Sequence, residues 1–278
     1  MIFSVENGHF GYGERKILQN ISFSVKDSEV LTILGPNGVG KTTLLKCMMG
    51  LLPWNQGQTL LDGRSLNSMK PTEVWKRIAY VPQSKATALS YTAFEMVLMG
   101  RSARLGLFAQ PTKKDYHIAE EAMEQVGITH LAHKHCSRIS GGELQMVLIA
   151  RALSTHPKML VMDEPESNLD FKNQLIVLET IQRLSKEQGI ASIVNTHYPA
   201  HALKIADKAL LLDYHGGCRF GNVEEIVSEE NMRKAFNVEV KILDYVHQNQ
   251  AYKGVIPLSI LPDISSYALP QTTVSHSA

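Results

Sequence analysis

Val30-Leu-Thr-Ile-Leu34-Gly35-Pro36-Asn37-Gly38-Val39-Gly40-Lys41-Thr42-Thr43 decides the fold of this chain. Val30 to Leu34 is a short apolar run without alternation, as in a strand buried on both faces. A glycine-rich turn follows, and Thr43 to Met49 then has the composition of a helix. The turn, Gly35 to Thr42, matches G-x-x-x-x-G-K-[ST]. Its glycines let the backbone curl until successive N–H groups and a helix N-terminus face a phosphate. Lys41 adds charge, and the Thr42 hydroxyl is placed to reach Mg²⁺. Motif and context agree, so a nucleoside triphosphate is the expected ligand.

Outward from this loop, Met159 to Met162 and Ala191 to Asn195 are further short apolar runs separated by a helical stretch, Asn173 to Gln188. Such alternation predicts a parallel sheet with right-handed crossovers. Upstream, Ile2 to Val5 and Ile17 to Val25 flank a turn through Gly11 and Gly13 and predict an antiparallel β layer. Helical patterns dominate from 84 to 157, at Ala93 to Gly100, Tyr116 to Val126 and Glu143 to Leu153. The expected organisation is an α/β nucleotide-binding core of residues 1–83 and 158–240 with a helical subdomain, 84–157, inserted in it. After Asp244 the text is polar and spotted with Pro, Ser and Thr, so 245–278 is expected to be a peripheral or flexible tail.

Twenty-eight basic and 27 acidic side chains nearly cancel in 278 residues, so no bulk positive field attracts nucleic acid, which is not an expected partner. Cys47, Cys136 and Cys218 are far apart and form no CxxC pair, which fits a reducing compartment. The N-terminus has no leader pattern, and no apolar run approaches the roughly 20 residues that span a bilayer. A role at a membrane therefore requires another protein as anchor.

Met159-Leu-Val-Met-Asp163-Glu164-Pro165 sets two carboxylates at the carboxyl end of an apolar strand, where open α/β sheets bind ligands. Asp163 is suited to the Mg²⁺ shell. Glu164 is suited to accept the proton of a water aligned with the γ-phosphate, which makes the reaction hydrolysis.

Ile139-Ser140-Gly141-Gly142-Glu143, about twenty residues before Asp163, resembles the signature of the ABC ATPases. Read from the residues alone, Ser140 and Glu143 form a capping box. Both readings can hold, because a Ser-capped helix opening on two glycines also exposes N–H groups to an anion. The resemblance implies a P-loop NTPase (RecA-like) core with an N-terminal antiparallel β layer and an inserted α-helical subdomain. It also implies a homodimer in which Ser140, Gly141, Gly142 and Glu143 of one copy face the γ-phosphate of ATP held by the other.

Further positions fall into the family's order over residues 1–240. Gln83, in Tyr80-Val-Pro-Gln83, is similar to the glutamine that senses Mg²⁺ and the attacking water and joins core to helical subdomain. Ser167-Asn-Leu-Asp170 resembles the loop that crosses to the partner subunit, with Asp170 its defining acid. His197, ending Asn195-Thr-His197, is similar to the switch histidine that contacts the γ-phosphate. Tyr12 stands where an aromatic stacks on adenine, with strand packing as the competing reading. Two departures from the pattern are Glu143-Leu144, for Gln and a basic residue, and Glu166, for Thr or Ser.

Val97-Leu-Met-Gly-Arg101, Phe108-Ala-Gln-Pro and Asp115 resemble the ATPases of importers for iron chelates, haem, cobalamin and, in some relatives, molybdate or tungstate. The partners so implied are two integral-membrane permease subunits and, through them, an extracytoplasmic substrate-binding protein. The location implied is cytoplasmic, peripheral on the inner face of the cell membrane. ABC ATPases outside transport are the other class. Residues 84–139 are too few for the coiled coil of DNA-repair members, and translation factors carry two cores, which leaves an iron–sulfur assembly ATPase as the alternative. His130, His133, His135 and Cys136 are spaced as metal ligands could be but are expected to form a solvated loop before the signature.

Overall fold

The computed structural model describes residues 1–83, 90–105 and 109–261. β1 (Ile2–Tyr12) and β2 (Arg15–Lys26) pair antiparallel, and their alternation buries Phe3, Val5, Ile21 and Phe23 on one face. β3 (Val30–Leu34), buried throughout, leads through the glycine turn into α1 (Lys41–Met48). β4 (Gln56–Leu61) and β5 (Arg64–Ser65) return to the antiparallel layer, whose strand order is β2-β1-β4-β5. The short α2 (Pro71–Trp75), opened by a proline, then precedes β6 (Ile78–Val81).

Before the next strand the described residues are helical: α3 (Ala93–Leu98), α4 (Lys113–Gln125) and α5 (Gly141–Leu153), with tighter 3₁₀ turns between them. α3 and α5 begin at capping boxes, Thr92 with Glu95 and Ser140 with Glu143, each of which closes two free N–H groups reciprocally, whereas at α4 the Asp115 carboxylate accepts from both the N–H and the hydroxyl of Thr112. The chain then alternates β7 (Met159–Asp163), α6 (Phe171–Gln188), β8 (Ala191–Asn195), α7 (Pro199–Ile205) and β9 (Lys208–Leu212). β10 (Cys218–Asn222), α8 (Val223–Ile226) and α9 (Glu229–Phe236) follow, and β11 (Val238–His247) pairs with β12 (Gln250–Ile260).

The central sheet has the order β10-β9-β3-β8-β7-β6 and is parallel except for β10. On β7, Leu160 and Met162 face the helices, whereas Met159 and Val161 face the antiparallel layer. Burial on both faces explains why these strands read as unbroken apolar runs. Because β3, β8 and β7 are parallel neighbours, the segments that leave their carboxyl ends meet at one edge of the sheet.

One expected boundary changes. The helix after Ala93 stops at Leu98 and tightens into a 3₁₀ turn over Met99–Ala103. The region after Asp244, expected to be a peripheral or flexible tail, continues as a β-ribbon as far as Ile260; 262–278, like Phe108, lie outside the described residues. The ribbon turns at Gln248-Asn249, both at positive φ (50° and 61°), as a two-residue hairpin turn needs, but without the glycine that announces one. One side of it packs Val240, Ile242 and Val255 against the cluster of α7, α8 and α9. Val246, Leu258 and Ile260 remain exposed, so no polar–apolar alternation marks the strands.

Candidate active site

Gly35, Gly38 and Gly40 all adopt positive φ (147°, 82° and 105°), which favours glycine. At Gly40 a Cβ would stand 2.6 Å from Ile17 Cγ2, so the loop can close on β2 only without a side chain. Gly40 also opens α1 with no side-chain cap, leaving the first-turn N–H groups available to an anion. Lys41 is buried, and its Nζ donates to the carbonyl oxygens of Gly35 (2.7 Å) and Pro36 (3.0 Å). Burial lowers its pKa, opposed by the charges of Glu164 and Asp163. Val39 turns into the core, whereas Asn37, Gly38, Gly40, Lys41, Thr42 and Thr43 line a cleft of about 270 Å³ closed on one side by Glu164.

Asp163, at the end of β7, is buried and held at both oxygens. Asn195 Nδ2 donates to Oδ1 at 2.5 Å, and the Tyr80 hydroxyl donates to Oδ2 at 3.3 Å. Burial, then the Asp163 charge, pushes the Tyr80 phenol up to about 12, so it stays a donor at neutral pH.

Glu164 follows in a left-handed conformation (φ 48°) that ends the strand and turns the chain. Its N–H donates to Asn195 O at 2.9 Å, and its carbonyl accepts from the N–H and hydroxyl of Ser167 at 3.1 and 2.9 Å. Gln83 Nε2 donates to Glu164 Oε2 at 3.2 Å and to Ser167 Oγ at 2.8 Å. His197 Nδ1 stands 3.7 Å from the same Glu164 oxygen. The structure thus brings together Gln83, Glu164 and His197 from three separate segments. Tyr80 and Asn195, which hold Asp163, and Ser167, which bonds Gln83 and the Glu164 carbonyl, lie inside motifs quoted for their neighbours; a polar residue in an apolar strand is the available signal at Tyr80 and Asn195.

The signature residues sit apart from this cleft. Ser140 Oγ accepts from Glu143 N at 3.2 Å, and Glu143 Oε2 accepts from Ser140 N at 2.7 Å. A Cβ on Gly142 would fall 2.5 Å from Asn173 Cγ, so this glycine lets α5 approach α6, whereas Gly141 is exposed. Asp170 caps α6 through Asn173 N at 2.8 Å. Tyr12 ends β1 with 59% of its surface exposed and packs edge-on to Phe10 with ring centroids 5.0 Å apart. Strand packing therefore engages only part of the ring.

Arg101 and Asp115 form a buried ion pair at 2.9 Å, and Arg101 also donates to the carbonyl of Ser154 at the end of α5. Gly100 lies against that end too, where a Cβ would collide with the Arg151 carbonyl and Ser154 Oγ. Cys136 belongs to the core rather than to a solvated loop, while His135 Nδ1 lies 3.2 Å from Ser90 O. Among the described residues no group of three or more His, Cys, Asp or Glu is placed to hold a metal ion.

The ABC transporter family model matches residues 18–167, and the chain belongs to that family. It is an ATP-binding subunit of such a transporter, an ATP hydrolase whose turnover is coupled to transport. It is 34% identical to the molybdate import ATP-binding protein MolC of Haemophilus influenzae, over 92% of this chain and 96% of that one. Against the probable iron chelatin transport ATP-binding protein of Helicobacter pylori (strain ATCC 700392 / 26695) it is 37% identical, over 76% of this chain and 86% of that one. A solved structure described as an inward-facing metal-chelate type ABC transporter superposes with a TM-score of 0.83 at 32% identity, covering 92% of this chain and 96% of that one.

Proposed function

We propose that the chain hydrolyses ATP in the cleft between Gly35–Thr43 and Glu164, as the motor of a metal-chelate importer. The observation that carries this is the convergence of Gln83 and His197 on one oxygen of Glu164 at the rim of the phosphate loop. The loop's N–H groups and Lys41 bind the β- and γ-phosphates, and the exposed face of Tyr12 receives the adenine. Glu164 takes the proton of the attacking water, which Gln83 orients, and His197 contacts the γ-phosphate.

The donors around the cleft, the Thr42 hydroxyl, the Asp163 carboxylate and the Gln83 amide oxygen, are all hard oxygen ligands suited to Mg²⁺. Mg²⁺, when bound, neutralises charge on the phosphates. The bonds from Asn195 and Tyr80 fix Asp163 so that its remaining lone pairs keep one direction.

Ser140 to Glu143 and Asp170 have no part in their own chain's cleft, so a second copy is the natural user of them. Two chains facing head to tail complete two sites, with ATP between the loop of one and Ser140–Gly142 of the other. Permease subunits dock where α2, β6 and α5 border a cleft of about 450 Å³, lined in part by Trp75, Tyr80, Met99 and Arg151. No helix of the described residues is long and apolar enough to cross a membrane, so the permease supplies the attachment, on the cytoplasmic face. An extracytoplasmic binding protein delivers cargo to the permease.

The structural likeness to a metal-chelate type transporter and the iron chelatin relative favour a chelate as cargo; the molybdate relative supports a second reading, an oxyanion. Phosphate release by the purified chain with MgATP tests the motor. Turnover that disappears in Glu164→Gln is the expected result, and equal turnover in both proteins would refute Glu164 as base. Co-purification with a multi-spanning permease, rather than with iron–sulfur assembly proteins, tests the partner.

A further inference from the structure

Glu166 is 1% exposed, and the family pattern gives no reason for a carboxylate there. Its Oε1 accepts a hydrogen bond from the Thr196 hydroxyl and lies 3.4 Å from His201 Nδ1. Its Oε2 is buried with no partner among the described residues. A buried acid with half its acceptors idle costs stability, so packing does not account for it.

The location does. Glu166 lies inside the turn closed by Ser167 N to Glu164 O, the turn that presents the Glu164 side chain. Thr196 Oγ1, which donates to Glu166, in turn accepts from Tyr198 N at 3.1 Å, closing a second turn around His197. One carboxylate oxygen therefore ties together the two turns that carry Glu164 and His197. Ring contacts brace the second turn: His197 to Tyr198 at 4.0 Å between centroids, and Tyr198 to His201 at 4.7 Å. His201 returns to Glu166 and closes the circuit.

We infer that Glu166 is a positioning residue that sets the distance between Glu164 and His197, acting through the Thr196 hydroxyl. The inference rests on hydrolysis at Glu164 as proposed above. Glu166 touches neither reacting group. Its loss should let the two turns drift while the phosphate loop keeps its grip, so kcat falls and nucleotide affinity does not.

The test compares kcat and KM for MgATP, binding of a fluorescent ATP analogue and melting temperature in the full chain and in Glu166→Leu, Glu166→Gln and Thr196→Val. Thr196→Val trades one hydroxyl for a methyl group and covers the case in which Glu166→Leu fails to fold. The expected loss is on the order of 10- to 100-fold in kcat for both Glu166→Leu and Thr196→Val, with KM and analogue affinity within about 3-fold. The double variant should lose no more than Glu166→Leu, because one path is broken once. Glu166→Gln, which keeps an acceptor for Thr196, should recover most of the loss. If the unaltered chain turns over and Glu164→Gln does not, while Glu166→Leu and Thr196→Val keep full kcat, this inference alone is overturned. The same holds if kcat, affinity and melting temperature fall together. An unaltered chain without turnover would sink the hydrolysis reading as well.

Discussion

Gln83 donates to Glu164 Oε2 at 3.2 Å across the gap between the strand that ends at Val81 and the strand that ends at Asp163. The same amide reaches Ser167, so a residue two positions beyond the end of β6 contacts both the Glu164 carboxylate and the turn behind it. Removing it should affect the chemical step more than binding. Gln83→Ala is expected to lower kcat about 10-fold with little change in ATP affinity, as steady-state kinetics beside equilibrium binding will show.

The Arg101–Asp115 pair is a buried clamp on the end of α5. Arg101→Met strands the carboxylate and the Ser154 carbonyl and should lower the melting temperature by roughly 5–10 °C. The Thr112 hydroxyl and N–H, then Arg101, hold Asp115 well below the usual carboxylate range, at about 2. A depressed acid pKa stabilises the fold above the unfolded value and ceases to do so as pH falls through the folded one. Stability from this group should therefore decline between about pH 4 and pH 2. Asp115→Asn should flatten that part of the acid denaturation profile.

Much of this was legible in the sequence. The phosphate loop follows from glycine geometry, and the parallel strands from apolar runs buried on both faces. The signature's capping box appears as the spacing of Ser140 and Glu143 predicts. What could not be read were relationships between distant segments. Nothing in Tyr80 or Asn195 announces that both hold Asp163, and nothing in Glu166 announces Thr196, thirty positions away. The final ribbon was hidden because its turn, Gln248-Asn249, lacks glycine and much of its surface stays exposed.

Cys47 lies on α1 directly after the phosphate loop, yet burial pushes its thiol up to about 12. An inaccessible, protonated thiol is a poor nucleophile. Iodoacetamide at neutral pH should leave Cys47 unmodified in the native chain and label it only with global unfolding, as peptide mapping across a denaturant series will show.

Gly100 has no room for a methyl group against the Arg151 carbonyl and Ser154 Oγ. Gly100→Ala should push the Met99–Ala103 turn away from α5 and weaken the Arg101 clamp that follows it. The expected cost is roughly 1–3 kcal/mol of stability, measured by denaturant unfolding.

We propose that ATP completes its site only between two copies of the chain. It is tested most directly by sedimentation of Glu164→Gln, of 30.9 kDa per copy, with and without MgATP. A monomer that becomes a dimer on adding ATP, and returns to monomer when Ser140 is also replaced by bulky Arg, is the predicted result. A chain that binds ATP yet stays monomeric at every concentration of nucleotide and protein would contradict it.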